Sequence, residues 1–133
     1  MIIVTAIAAS VLGLLYVKLS LNVIGYRRKH GVSVGDGGNE DLLRVIRAHA
    51  NLAEYAPIAL ILIASLEINH TPWWVTTVLA TAFVLGRLLH PSGMKEAGSA
   101  LKPRVRGMQL TLLSMIGLAV ANLVIAGLHL YAA

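Results

Sequence analysis

The chain has 133 residues, 57% of them hydrophobic and 13% charged, with a mean hydropathy of +0.76 and a net charge of +5. This composition excludes an ordinary soluble domain, and the length suits one domain over residues 1–133. The chain has no cysteine, which excludes disulfides and cysteine chemistry of its own. Because the alternation typical of a membrane β-barrel is absent, the apolar segments predict an all-α integral membrane protein with four transmembrane helices.

Helix 1 is predicted over Ile2–Arg28, with small residues suited to helix packing near its start. It has no basic segment ahead of its apolar run, and the run is too long for a signal peptide. The glycine-rich stretch Gly31–Gly38 follows. No strand precedes it and no Gly-Lys-Ser/Thr follows, so it predicts a flexible connector rather than a nucleotide loop.

Helix 2 is predicted over Glu40–Leu66, with Asn39 as its N-cap and Pro57 in its interior. A polar stripe runs along its first half. At 3.6 residues per turn, its four members fall at about 0°, 300°, 340° and 280°, in one sector of the helix. They are Arg44, Arg47, Asn51 and Glu54. An acid within an apolar helix is costly unless it faces protein, water or a cation.

Helix 3 is predicted to start at Pro72, Trp73 and Trp74 and to end near His90. A polar loop over Ser92–Lys102 follows. Pro103 is expected in the first turn of helix 4, whose small residues predict close packing against another helix. That set comprises Gly107, Thr111, Ser114, Gly117 and Ala121.

The basic residues indicate an orientation. Ten of the eleven lie in or beside the connections between helices 1 and 2 and between helices 3 and 4. Under the positive-inside rule these connections are cytoplasmic, so both termini are expected outside. The positive charge is thus a topology signal, and no feature predicts a nucleic-acid partner.

Several charged residues admit two interpretations. The stripe is either a polar seam between helices or a site for a zwitterionic ligand, with guanidinium groups for carboxylates and Glu54 for an amine. Arg87 could equally be a structural partner of Glu54 or a ligand contact. Arg104 and Arg106 either extend toward lipid headgroups or stabilise a developing anion. No metal-binding pattern is present in the sequence.

The helix 2 segment Arg47-Ala-His-Ala-Asn51-Leu-Ala-Glu54-Tyr55-Ala-Pro57 resembles the signature of the MAPEG family, the membrane-associated proteins in eicosanoid and glutathione metabolism. The segments Leu85–His90 and Pro103–Gly107 resemble the family's helix 3 end and helix 4 start. The resemblance covers nearly the whole chain and is greatest to small bacterial members, which implies a location in a bacterial inner membrane.

This resemblance implies a left-handed four-helix bundle, assembled as a homotrimer, with glutathione as co-substrate between subunits. Arg106 would be the catalytic cation that stabilises the glutathione thiolate, with Arg104 as its close rival. The other implied glutathione-binding residues are Arg47, Asn51, Glu54, Tyr55, His90, Arg27 and Arg28.

Two functions remain open. The first is a membrane-bound glutathione transferase or peroxidase, whose thiolate attacks a lipophilic electrophile or hydroperoxide arriving from the membrane lipid. The second is a non-catalytic membrane binding or scaffold protein with the same fold. The second is motivated by Met94 and Gly107, which stand where family enzymes often carry a tyrosine and, in one branch, a serine.

Overall fold

The structure, a computed structural model, describes residues 1–94 and 101–132. Four α-helices follow one another: α1 (Ile3–His30), α2 (Glu40–Ile68), α3 (Trp73–Leu89) and α4 (Leu101–Ala132). A short 3₁₀ helix, His90–Met94, continues α3. Four segments of the described residues are long and apolar enough to cross a membrane: α1, α2, α4, and α3 together with most of the 3₁₀ helix (Trp73–Gly93). This confirms the expected all-helical architecture. Lys95, one of the basic residues used for the orientation, lies outside the described residues.

The helix ends differ slightly from the sequence expectation. α1 continues past Arg28 to His30, where Gly31 ends it in the left-handed conformation at φ 64° and the backbone N–H of Val32 donates to the Arg27 carbonyl. α2 begins at Glu40 as expected, because the side chain of Asn39 accepts a hydrogen bond from the Leu42 N–H at 2.9 Å.

The C-terminus of α2 and the N-terminus of α4 also differ by a few residues from the expectation. α2 runs two residues beyond the expected Leu66, to Ile68, and α4 already begins at Leu101, so that Pro103 lies in its first turn. Proline is tolerated there because the first helical N–H groups have no partner within the helix.

The helices pack in the order α1, α2, α4, α3 around the bundle, with α1 against α2 and α3 against α4 as the most extensive pairs. Two groups of buried apolar side chains fill the interior. One lies toward the chain termini and contains Ala8, Ile63, Leu66, Ala80 and Leu118. The other lies toward the basic connections and contains Leu12, Leu19, Leu52, Ala59 and Phe83. The outer faces of α1 and α4 expose leucine and isoleucine, as suits contact with lipid.

Two glycines allow α3 and α4 to cross closely. A Cβ atom on Gly86 would lie 2.7 Å from Thr111 Oγ1 and 2.9 Å from the Gly107 carbonyl oxygen. A Cβ on Gly107 would lie 2.7 Å from the His90 nitrogen. The small residues of helix 4 were expected to serve packing, and the burial of Gly107, Thr111 and Ser114 confirms this.

Candidate functional site

A cavity of about 840 Å³ opens between α2 and the start of α4, at the end of the bundle where the basic connections lie. Cationic and polar side chains from three segments converge on it. They are Glu40, Arg44, Arg47 and Asn51 from α2, His90 from the end of α3, and Arg104 and Gln109 from α4. The remaining wall is apolar: Leu43, Leu101, Val105, Met108 and Leu112. The cavity therefore combines a cationic rim with an apolar side toward α4, an arrangement typical of sites for small amphipathic anions.

The sequence-predicted site residues divide into two groups. Arg47, Asn51, His90 and Arg104 line the cavity. The others, Glu54, Tyr55, Arg27, Arg28 and Arg106, are not among its lining residues. The sequence left Arg104 and Arg106 as alternatives for the catalytic cation. Of these two, Arg104 lines the cavity of this chain and Arg106 does not.

Arg47 and Glu54 form an ion pair along one face of α2. Arg47 Nη2 lies 3.4 Å from Glu54 Oε1, and the two side chains are 54% and 51% exposed. Glu54 does not line the cavity itself, but it is paired with Arg47, which does. A similar pair joins Arg44 to Glu40 at 3.5 Å, one turn from the start of the helix.

Arg87 lies at the centre of a buried polar network that connects α2, α3 and α4. Its side chain is 2% exposed; Nη1 donates to Asn51 Oδ1 at 2.6 Å, and Nε donates to Thr111 Oγ1 at 2.9 Å. The guanidinium carbon lies 5.3 Å from the centre of the Tyr55 ring, within cation–π range. Of the two sequence interpretations of Arg87, pairing with Glu54 is wrong: the neighbouring amide of Asn51 takes its hydrogen bond.

Tyr55 therefore belongs to the network rather than to the cavity wall, since its ring packs against the guanidinium of Arg87. Sequence reasoning did not place Arg87 among the site residues. The signal available was a single arginine within an otherwise apolar helix, three residues before His90 and on the same face.

Two histidines have different environments. His90 is buried and lines the cavity beside α4. His49 points to the other side of α2, where its Nε2 lies 3.1 Å from Ser20 Oγ and its ring contacts that of Tyr16. The sequence predicted His49 to face away from the stripe, and its contacts with Ser20 and Tyr16 of α1 confirm that prediction.

Arg27 and Arg28 lie at the end of α1, beside the glycine-rich connection. Arg27 Nη1 donates to the Ser33 carbonyl at 3.1 Å and so holds the connection against the helix. Both arginines border a second, smaller depression with Val32, separate from the main cavity. Within one chain neither arginine lines the main cavity.

Comparison with known proteins agrees with this architecture. The model of the MAPEG family matches residues 5–124. The chain belongs to the MAPEG family. It is also 33% identical over 120 residues, 90% of each chain, to the inner membrane protein YecN of Escherichia coli strain K12. The YecN protein of E. coli O6:H1 gives the same values.

The family assignment explains the four apolar helices. A MAPEG protein with four helices of membrane-spanning length, similar to bacterial inner membrane proteins, is an integral membrane protein. The cavity then lies between helices at one end of a membrane bundle. Binding sites of helix bundles are commonly built in this way, from side chains on facing helices.

Proposed function

We propose that this MAPEG protein binds glutathione in the cavity between α2 and α4 and uses it as co-substrate, in a transferase or peroxidase reaction on a lipophilic molecule. The observation that carries the proposal is the convergence of Arg44, Arg47 and Arg104 on one cavity. Glutathione carries two carboxylates, one ammonium group and one thiol, so a site for it needs several cations and one acid. The stripe on α2 supplies this set.

Arg47 and Glu54 have complementary roles in this proposal. Arg47 binds a carboxylate of glutathione, and Glu54 accepts hydrogen bonds from its α-ammonium group. Their mutual ion pair at 3.4 Å is half exposed, and such pairs contribute only about 0–1 kcal/mol. The ligand can therefore replace the pair at little cost and satisfy both charges.

We assign thiolate stabilisation to Arg104 because this arginine lines the cavity. A guanidinium beside the sulfur favours the thiolate over the thiol, and the effect is larger in a site partly shielded from water. The thiolate then forms a carbon–sulfur bond with an electrophile, whose leaving group departs with the bonding electron pair. With a hydroperoxide, the sulfur attacks the terminal oxygen and an alcohol leaves; a second glutathione then gives the disulfide and water.

The test is an ultraviolet difference titration of the purified protein with glutathione, comparing Arg104→Ala with Arg106→Ala. We expect a saturable thiolate band in the natural protein. Arg104→Ala should remove most of the band and lower turnover with a model electrophile by about 100-fold, the size typical of losing one charge-stabilising group. Arg106→Ala should retain both within about threefold, so the reverse result would assign the role to Arg106.

Non-catalytic binding or scaffolding is the second candidate function. It is favoured by the bond from Arg87 to Asn51 and by the Arg47–Glu54 pair, because a polar seam that serves only packing would also satisfy its own groups. Gly107 no longer supports this candidate specifically, since the close approach of α3 and α4 requires a glycine there whatever the function. If the titration gives no thiolate band from a correctly assembled protein, scaffolding becomes the better proposal.

We also propose that the protein assembles as a homotrimer. Arg47 and Glu54 are half exposed on the outside of α2, a helix long and apolar enough to span the membrane. Charged groups facing hydrocarbon are costly, whereas a neighbouring subunit would cover them. Placing the glutathione site at such an interface would allow Arg27 or Arg28 of an adjacent subunit to contribute, which they do not do within one chain.

The proposed orientation places both termini outside and the basic connections in the cytoplasm. Arg27, Arg28 and Arg104 all lie at the same end of the bundle, as the positive-inside rule requires. The cavity would then open toward the cytoplasm, the compartment that supplies reduced glutathione, while its apolar wall faces the bilayer that supplies a lipophilic substrate.

A further inference from the structure

We infer that Arg87 is a positioning residue that fixes the side-chain amide of Asn51 with its NH₂ group toward the cavity, so that the ligand group bound there must be a hydrogen-bond acceptor. This inference rests on the proposed function for the identity of the ligand, although its geometric part concerns the protein alone. It assigns a specific chemistry to one wall of the cavity.

The first step is the direction of the Arg87–Asn51 hydrogen bond. A guanidinium has five N–H donors and no acceptor, so only the oxygen of the amide can face it. Arg87 Nη1 lies 2.6 Å from Asn51 Oδ1, a short contact typical of a charge-assisted bond. The other end of the planar carboxamide, Nδ2, therefore points away from Arg87.

The second step is where that nitrogen is directed. Asn51 lines the cavity, and within residues 1–94 and 101–132 its Nδ2 donates no hydrogen bond. If Nδ2 were fully buried, it would be a buried atom without a hydrogen-bond partner, and it is not one of those atoms among these residues. It is therefore accessible. Nδ2 is thus a free donor at the cavity surface, and it needs an acceptor from water or from a ligand.

The third step is that Arg87 is itself held firmly. Its Nε donates to Thr111 Oγ1, which in turn donates to the Gly107 carbonyl, and the Tyr55 ring covers one face of the guanidinium. Among the described residues no carboxylate pairs with Arg87. Its buried charge therefore adds to the positive potential of the cavity and further favours an anionic acceptor.

Carboxylates and thiolates are acceptors of this kind, whereas ammonium and uncharged donor groups would face the Asn51 NH₂ unfavourably. A site that fixes a donor rejects ligands that lack the matching acceptor, because such a ligand would cover the donor, exclude water from it and leave it unpaired. The Arg87–Asn51 pair thus determines specificity without Arg87 contacting the ligand.

The main experiment is a nuclear magnetic resonance titration of the detergent-solubilised protein labelled with ¹⁵N at asparagine, using sulfate and then glutathione. The Asn51 amide signal is identified by its loss in Asn51→Asp. We expect it to shift saturably with both probes. The Asn122 amide is the internal control, because its Nδ2 already donates to the Leu62 and Leu118 carbonyls, and its signal should not move.

Asn51→Asp separates the positioning role from a purely structural one. Aspartate keeps an oxygen for Arg87 and gives it a counter-ion, so a structural role would be preserved. It offers no donor to the cavity and adds a negative charge there. We expect sulfate and glutathione affinity to fall at least about tenfold, with helix content and thermal stability retained.

A second pair of variants tests Arg87 itself. Arg87→Lys keeps the charge but cannot reach Asn51 and Thr111 together with the geometry of the guanidinium fork, so affinity for sulfate should fall about three- to tenfold. Ser114→Ala is the matched control: it removes a buried hydroxyl of the same helix that donates to the Thr111 backbone carbonyl rather than to a partner of Arg87, so affinity should stay within about twofold.

The possible results separate the two proposals. A sulfate-dependent shift at Asn51 without glutathione binding would support the inference and overturn the proposed co-substrate. A glutathione thiolate band with an unmoved Asn51 amide would leave the proposed function and overturn the inference. Asn51→Asp with unchanged anion affinity would also overturn it.

Discussion

Arg87 brings a positive charge into the interior of an apolar bundle, and its partners explain how the protein tolerates it. Two side-chain oxygens, one from Asn51 and one from Thr111, accept its hydrogen bonds, and the Tyr55 ring lies against its face. Removing a single partner would leave a buried donor unpaired, at a cost of about 1–3 kcal/mol. The network therefore holds three helices in register around the cavity.

Glu67, near the end of α2, provides a second connection at the opposite end of the bundle. Its carboxylate accepts hydrogen bonds from the backbone N–H groups of Val4 and Thr5, at 2.9 and 2.7 Å, and from the Thr5 hydroxyl. The first N–H groups of a helix have no partner within it, and its N-terminus favours negative charge. Glu67 thus acts as an N-cap for α1 supplied by another helix, while Ile2 gives no side-chain cap.

We predict that Glu67→Gln destabilises the protein by about 1–2 kcal/mol, because a neutral amide has one oxygen instead of two and loses the charge-assisted strength. Thermal or denaturant unfolding in detergent measures this change. Glutathione binding should be unaffected, since Glu67 lies far along α2 from the cavity. If the variant were as stable as the natural protein, the capping of the N-terminus of α1 by Glu67 would contribute little to the stability of the bundle.

At the scale of single residues, sequence reasoning was limited to which side chains share a helix face. It grouped the α2 stripe correctly by helical periodicity, and Arg47 and Asn51 do line one cavity. It offered Glu54 as the structural partner of Arg87, whereas the structure gives Asn51. The two residues lie three apart on the same face, and only the relative heights of α2 and α3 decide between them.

The crossing of α3 and α4 determines the shape of the site at the scale of secondary-structure elements. His90 belongs to the cavity because α3 gives way to a 3₁₀ helix at that residue, beside the start of α4. The close contact there depends on Gly86 and Gly107, since side chains at either position would meet backbone atoms of the opposite segment.

We predict that Gly107→Ala costs about 1–3 kcal/mol and weakens ligand binding, because its Cβ would lie 2.7 Å from the His90 nitrogen and 2.8 Å from the Gly86 carbonyl. Gly127→Ala, in the same helix with no heavy atom within 4 Å of the new Cβ, is the matched control and should not be destabilised. Unfolding in detergent compares the two. Equal stability of both variants would contradict the importance of this crossing.

Most of the four helices could be predicted from the sequence because each is a long apolar segment, and that signal is local. Their ends could be placed only within a few residues, since the C-terminus of α1 depends on the conformation of Gly31 and α4 begins two residues before Pro103. The crossing distance could not be predicted, because small residues permit a close contact but do not identify the opposite helix.

At the scale of the whole molecule, the polar surface of α2 connects the site to assembly. Among the described residues, the Arg47–Glu54 pair lies half exposed beside the cavity. Either a glutathione molecule or a neighbouring subunit could pair with these two charges. The sequence motif on α2 would be the same in both cases. The family assignment gives the fold, and a variant that separates binding from assembly tests the function.

Glu54→Gln provides that separation. In a glutathione-binding enzyme the variant should still form trimers by native mass spectrometry, while glutathione affinity falls about tenfold because the amide cannot pair with the ligand's ammonium group. Asp36→Asn is the matched control. It neutralises an acid of the glycine-rich connection that does not line the cavity, and asparagine keeps the oxygen that accepts the Gly38 N–H, so neither property should change appreciably. Dissociated subunits with normal affinity for glutathione would instead assign Glu54 to the interface and favour the scaffold function.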